Sequence, residues 1–83
     1  MAYEVIYTRS AAKDIGRLDR VAKKKIKAKI ESYLRSPMTF AKKLVSSKIG
    51  QYRWRAGNHR IVFDVDGKTI VILRVGHRRE IYK

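Results

Sequence analysis

The sequence predicts an α+β domain: an N-terminal strand, two helices, then an antiparallel meander, with the helices packed on one face of a roughly four-stranded antiparallel sheet. Three features support this. Apolar side chains recur at helical spacing between Asp19 and Arg35, and residues 51–75 alternate around two turn signals. The helical and strand segments are also segregated along the chain rather than interleaved. A chain of 83 residues has room for one domain, spanning 1–83.

Residues 2–8 (AYEVIYT) combine β-branched and aromatic residues and read as the first strand. Ser10 is placed to cap a short helix through Leu18, with Ala12, Ile15 and Leu18 on one face. Asp19 caps a longer helix to about Arg35. Its apolar residues Ala22, Ile26, Ile30, Tyr33 and Leu34 follow at spacings of four, four, three and one. Pro37 stops it, because the proline ring disfavours helical backbone at the preceding residue, Ser36. Residues 38–50 read as a connecting segment. Three strands follow at 51–56, 59–66 and 69–75, with turn signals at Gly57-Asn58 and Asp66-Gly67.

A two-residue turn at Gly57-Asn58 sets Ala56 opposite His59, and so Arg55 opposite Arg60. Alternation sends Tyr52, Trp54, Ile61, Phe63, Ile70 and Ile72 to the face that meets the helices. Arg53, Arg55, Arg60 and Val62 share the other face. Like charges facing each other across two strands are destabilising, so the pairing implies an anion between them. Phosphate fits, because the planar guanidinium grips its oxygens two at a time. Asp64, Asp66, Glu80 and Glu4 are the acids that would neutralise the pair instead, but seven acidic residues cannot neutralise 21 basic ones.

The formal net charge of +14 calls for a polyanionic partner, with nucleic acid ahead of an anionic membrane surface or an acidic protein. The two cations are distributed unevenly: nine of the eleven lysines lie between Lys13 and Lys48, and six of the ten arginines between Arg53 and Arg79. Lysines such as Lys23, Lys24 and Lys27 on the long helix make an ordinary solvated face. They are also, with Arg79, candidates for steering the protein to RNA or an RNA-rich particle. Tyr82, beside Arg78 and Arg79, is placed to stack on a base or hydrogen-bond a phosphate.

Other classes are disfavoured. There is no cysteine, hence no disulfide framework or cysteine zinc site. His59 and His77 lack a third ligand at metal-binding spacing, and no glycine-rich nucleotide cradle or nucleophilic serine motif appears. No cofactor is expected. The N-terminus MAYEVIYTRS is not a signal peptide, and no run approaches the roughly 20 apolar residues that span a bilayer, so a soluble cytoplasmic protein is expected. RNA itself supplies a nucleophile: the ribose 2′-OH attacks the adjacent phosphate, leaving a 2′,3′-cyclic phosphate and a 5′-OH. Arginines orient the nucleotide and stabilise the developing charge. Arginine stays protonated, so His77, His59 and Tyr82 are the candidates for moving a proton.

The signature KIGQYRWRAGNHRIVFDVDGKTIVILRVGHRREIY, with the opening strand YEVIYT and the helix pair, resembles the RelE/ParE superfamily of toxin–antitoxin toxins, specifically its RelE-like ribonuclease branch. The most specific parts are YRWRAGNHRIVF and VGHRREIY. The resemblance implies a RelE-like fold and a cytoplasmic toxin that cuts mRNA in the ribosomal A site. It also implies a cognate acidic RelB-like antitoxin that covers the basic face in a hetero-oligomer. Carried over by position, Arg53 and Arg55 occupy the two basic positions of the first hairpin strand, and Arg60 holds the scissile phosphate. Arg78 serves transition-state charge or the leaving group, and Tyr82 orients the nucleotide. Some members have lysine where Arg53 and Arg55 stand, one a proposed general base. Other branches use a histidine near the C-terminus, which draws attention to His77. The gyrase-poisoning ParE branch generally lacks this arginine and tyrosine set. A gyrase inhibitor and a non-catalytic RNA-binding module remain the alternatives.

Overall fold

The computed structural model describes residues 3–44 and 50–77. Strand β1 (Glu4–Tyr7) leads into helix α1 (Arg9–Gly16) and helix α2 (Arg20–Tyr33). Strands β2 (Lys42–Lys43), β3 (Tyr52–Ala56), β4 (His59–Asp66) and β5 (Thr69–His77) complete one sheet in the order β1-β5-β4-β3-β2. The α+β class is as the sequence predicts, with two differences in the sheet. Among the described residues it has five strands, because the connecting segment contributes β2, and β1 lies parallel to β5 while the other pairs are antiparallel.

Helix α1 begins one residue before the expected cap. Thr8, not Ser10, is the N-cap: its Oγ1 accepts from the Ala11 N–H at 3.1 Å and donates to the Leu73 carbonyl at 2.9 Å. One hydroxyl thus starts the helix and ties it to β5. The buried face is accordingly Ala11 and Ile15, with Leu18 packed beside them, while Ala12 is exposed. Asp19 caps α2 as expected, accepting from the Ala22 N–H at 2.7 Å. Ile26 and Ile30 are its fully buried side chains. Each contributes about 1.5–3 kcal/mol of burial, which exceeds the few tenths of a kcal/mol that each like-charged pair at i,i+4 costs the helix.

Both helices cover the face that carries Trp54, Ile61, Phe63, Ile70 and Ile72, all fully buried. Trp54 packs on Phe63 with ring centroids 4.1 Å apart and on Tyr33 at 5.2 Å. Its indole N–H donates to the Pro37 carbonyl at 2.9 Å, which fastens the chain leaving α2 to the core. The β3–β4 register is the expected one, with Ala56 opposite His59 and Arg55 opposite Arg60. Gly57, at φ 62°, opens that turn, and Gly67, at φ 60°, opens the next. Both need the left-handed backbone that glycine takes without penalty.

The β4–β5 pairing contains a bulge. Val62 faces Arg74 while Phe63 faces Ile72, so Leu73 is an extra residue on β5. Beyond it the alternation of β5 reverses: Ile70, Ile72 and Val75 all join the helix-side core.

Candidate nucleic-acid interface

On the sheet face turned away from the helices, the register lines up side chains in rows across the strands. One row runs Arg55, Arg60, Gly76; the next runs Lys42, Arg53, Val62, Arg74. Val62 is fully buried yet stands apart from the helix-side core, so part of this face is itself packed over. Gly50 lies directly on it: a Cβ at that position would come within 2.5 Å of Val62 Cγ1 and 2.8 Å of Leu73 Cδ1. The chain entering β3 is pinned there by Asp64, whose Oδ1 accepts from the Gln51 N–H at 2.8 Å, and by Gln51 Oε1, which accepts from the Val65 N–H at 3.1 Å.

Arg53, Arg55 and Arg60 are therefore brought onto one face, as expected. They are not equally open. Arg55 is exposed, Arg53 half-buried, and Arg60 only 6% exposed and engaged within the fold. Among the described residues no acid forms an ion pair with Arg53 or Arg55, and Asp64 is committed to the Gln51 backbone. The fourth arginine in the rows is used differently. Arg74 Nε donates to Asp14 Oδ2 at 2.8 Å and its Nη2 to Oδ1 at 3.3 Å, while the same Oδ2 accepts from the Val75 N–H at 3.0 Å. The hydrogen bond and then the charge of Asp14 raise the Arg74 pKa further above its already high value. Arg74 is thus a clamp between α1 and β5.

The site's backbone is held from the core side. Tyr33 Oη donates to the Arg55 carbonyl at 2.6 Å, and its ring packs between Trp54 and Phe40 at 5.2 Å from each. A residue of α2 thereby fixes the strand segment from which Arg55 projects.

His77 is not part of the arginine face. It lies opposite His59, which lies opposite Ala56, a member of the helix-side core. The two imidazoles are 6.3 Å apart, edge to face, and border a cleft of about 550 Å³ with Asp14, Arg17 and Arg74. Unbroken alternation from Ile72 would have set His77 beside the arginines; the bulge at Leu73 sends it to the other side. This corrects its expected place as the proton carrier of the arginine site. Lys24 and Lys27 are exposed and Lys23 half-buried on α2, across the sheet from the arginines. Arg78, Arg79 and Tyr82 lie outside the described residues. On the same face as the arginines the structure also places Lys42, exposed and directly opposite Arg53. A two-residue strand of lysines carries no alternation that would have revealed it.

The family model of the ParE toxin of the type II toxin–antitoxin system parDE matches residues 5–82. The chain belongs to this toxin family. The toxin is 36% identical over 83 residues to Toxin RelE3 of Methanocaldococcus jannaschii, covering 95% of this chain and 94% of that protein. It is 31% identical over 86 residues to Toxin RelG of Mycobacterium tuberculosis, covering 100% and 99% respectively. Among solved structures it resembles the toxin–antitoxin complex RelBE2 of Mycobacterium tuberculosis with a TM-score of 0.79 and 30% identity, over 94% of this chain and 100% of that one. Within the superfamily the toxin stands with the RelE-like proteins.

Proposed function

We propose that the toxin is a ribosome-dependent endoribonuclease that cleaves mRNA in the ribosomal A site and so inhibits translation. The observation that carries this reading is the Arg55–Arg60 pair, set side by side on a face it shares with Arg53. A sheet tolerates opposed guanidinium groups at a cost, and a bound phosphodiester reverses the sign of that interaction. In the reaction the 2′-oxygen attacks phosphorus and the bond to the 5′-oxygen breaks, giving a 2′,3′-cyclic phosphate and a 5′-OH. The arginines hold the phosphate in line and stabilise the charge that grows on its oxygens. Arg55 remains protonated and is no general base, so its contribution is electrostatic. The proton released by the 2′-OH passes to a group outside the arginine set. Arg78 and Tyr82 complete the site in this reading, through charge at the leaving group and orientation of the nucleotide.

The same face is what an antitoxin must cover. The matched RelBE2 structure is a toxin–antitoxin complex, and a net charge of +14 favours an acidic partner. The toxin pairs with a cognate acidic antitoxin in a hetero-oligomer and acts in the cytoplasm, where the ribosomes are. Among the described residues no helix is long and apolar enough to cross a membrane.

Substitution at Arg55 is the cleanest test, because that side chain is exposed. Arg55→Ala is expected to lower mRNA cleavage in cells by about 10²–10³-fold, the loss on removing one preorganised charge-stabilising group, with unfolding temperature unchanged. Arg60→Lys, which keeps charge but loses the fork, is expected to do the same without emptying a buried position. Full toxicity in both variants, accompanied by inhibited plasmid supercoiling, would transfer the protein to the gyrase-directed class.

A further inference from the structure

Beside the Arg55–Arg60 pair, the rows on the sheet face turned away from the helices set a second pair of cations. Lys42 on β2 and Arg53 on β3 are directly opposed, one row along from Arg55 and Arg60. Lys42 is exposed and Arg53 half-buried, and among the described residues neither makes an ion pair with an acid. The row's remaining members do not compete for a ligand: Val62 is apolar and fully buried, and Arg74 is taken by Asp14. We infer that Lys42 and Arg53 form a second phosphate subsite, so that the toxin grips two consecutive phosphates of a single-stranded RNA. The inference rests on the phosphate-binding reading of Arg55 and Arg60 given above.

The spacing supports this. The midpoints of the two pairs lie two residues along the strand and one strand across, about 8 Å apart from a rise of ~3.3 Å per residue and a strand separation of ~4.8 Å. Consecutive phosphates of an extended nucleic-acid strand are separated by slightly less. The flexible stems of Lys42 and the arginines absorb the remainder. The two subsites also differ in kind. Two guanidinium forks fix the orientation of the phosphate at Arg55 and Arg60, whereas Lys42 offers a compact ammonium that attracts without fixing geometry. Lys42 therefore adds grip on the neighbouring nucleotide and leaves the reacting bond to Arg55 and Arg60. It makes the substrate a strand, since an isolated nucleotide fills one subsite only.

Lys43 is a built-in control. It is equally exposed and carries the same charge on the same short strand, but it faces Tyr52, which packs into the helix-side core. The experiment is equilibrium binding of the purified toxin to a fluorescently labelled single-stranded RNA oligonucleotide across a salt series, for wild type, Lys42→Ala, Lys42→Arg and Lys43→Ala. One lost phosphate contact lowers the slope of log K against log salt by about 0.7 for a single strand. Lys42→Ala is expected to show that loss, which over a decade of salt amounts to ~fivefold weaker binding at 0.1 M that vanishes towards 1 M. Lys42→Arg should restore the slope, and Lys43→Ala should match wild type. An oligonucleotide with neutral methylphosphonate linkages should bind wild type and Lys42→Ala alike. Equal losses from Lys42→Ala and Lys43→Ala would overturn the subsite, reducing it to general charge, while leaving the arginine site standing. Failure of wild type to bind the RNA even at low salt would overturn the subsite, whereas the arginine site stands or falls separately with cleavage on programmed ribosomes.

Discussion

Tyr33 illustrates how much of the site depends on residues that never face a ligand. Its hydroxyl reaches from α2 to the Arg55 carbonyl, and its ring fills the space between Trp54 and Phe40. Tyr33→Phe keeps the ring and deletes the bond, so it should cost about 1 kcal/mol, read as a lower urea midpoint with an unchanged slope. At this scale the sequence was most informative around the turn: Gly57-Asn58 by itself fixed Arg55 against Arg60, because a two-residue loop leaves one register. Two residues were out of its reach. Lys42 earns its place through a strand pairing that no pattern in residues 38–50 announces. His77 changes sides because one inserted residue, Leu73, shifts the alternation of β5.

Between elements, the Asp14–Arg74 clamp is the main polar tie from α1 to β5. Asp14 Oδ2 serves both the guanidinium and the Val75 N–H, just past the bulge at Leu73. Most of the clamp's worth lies in the backbone bond, since the Arg74 side chain is 44% exposed and exposed ion pairs contribute little. Asp14→Ala should therefore destabilise by about 1–3 kcal/mol, the penalty for leaving a part-buried N–H unsatisfied. Asp14→Asn, which retains an accepting oxygen, should recover a good part of that loss in thermal unfolding. The helices were legible from their periodicity and from the Asp19 cap. The start of α1 at Thr8 is not legible because Ser10 is the better cap in isolation, and the Thr8 bond to Leu73 on distant β5 decides for Thr8. Parallel pairing of β1 with β5 was illegible for the same reason: the partners are separated by most of the chain.

For the whole molecule, the helices and the arginine face divide the labour across one sheet. The helix side holds the core that sets the strand register; the opposite side uses that register to bring cations together. A charge of +14 on 83 residues opposes its own compaction, and a bound polyanion or acidic partner relieves that repulsion. The lysines of α2 lie on the far side of the sheet from the arginines and add to the positive field of the molecule. The measurement that tests the account most directly is primer-extension mapping of mRNA on programmed ribosomes, with free mRNA alongside, using wild type, Arg55→Ala and Arg60→Lys. New RNA ends are expected in the A-site codon for wild type only, and only on the ribosome. Absence of those ends with folded wild-type protein would contradict the ribonuclease reading and leave the arginine face as a binding surface.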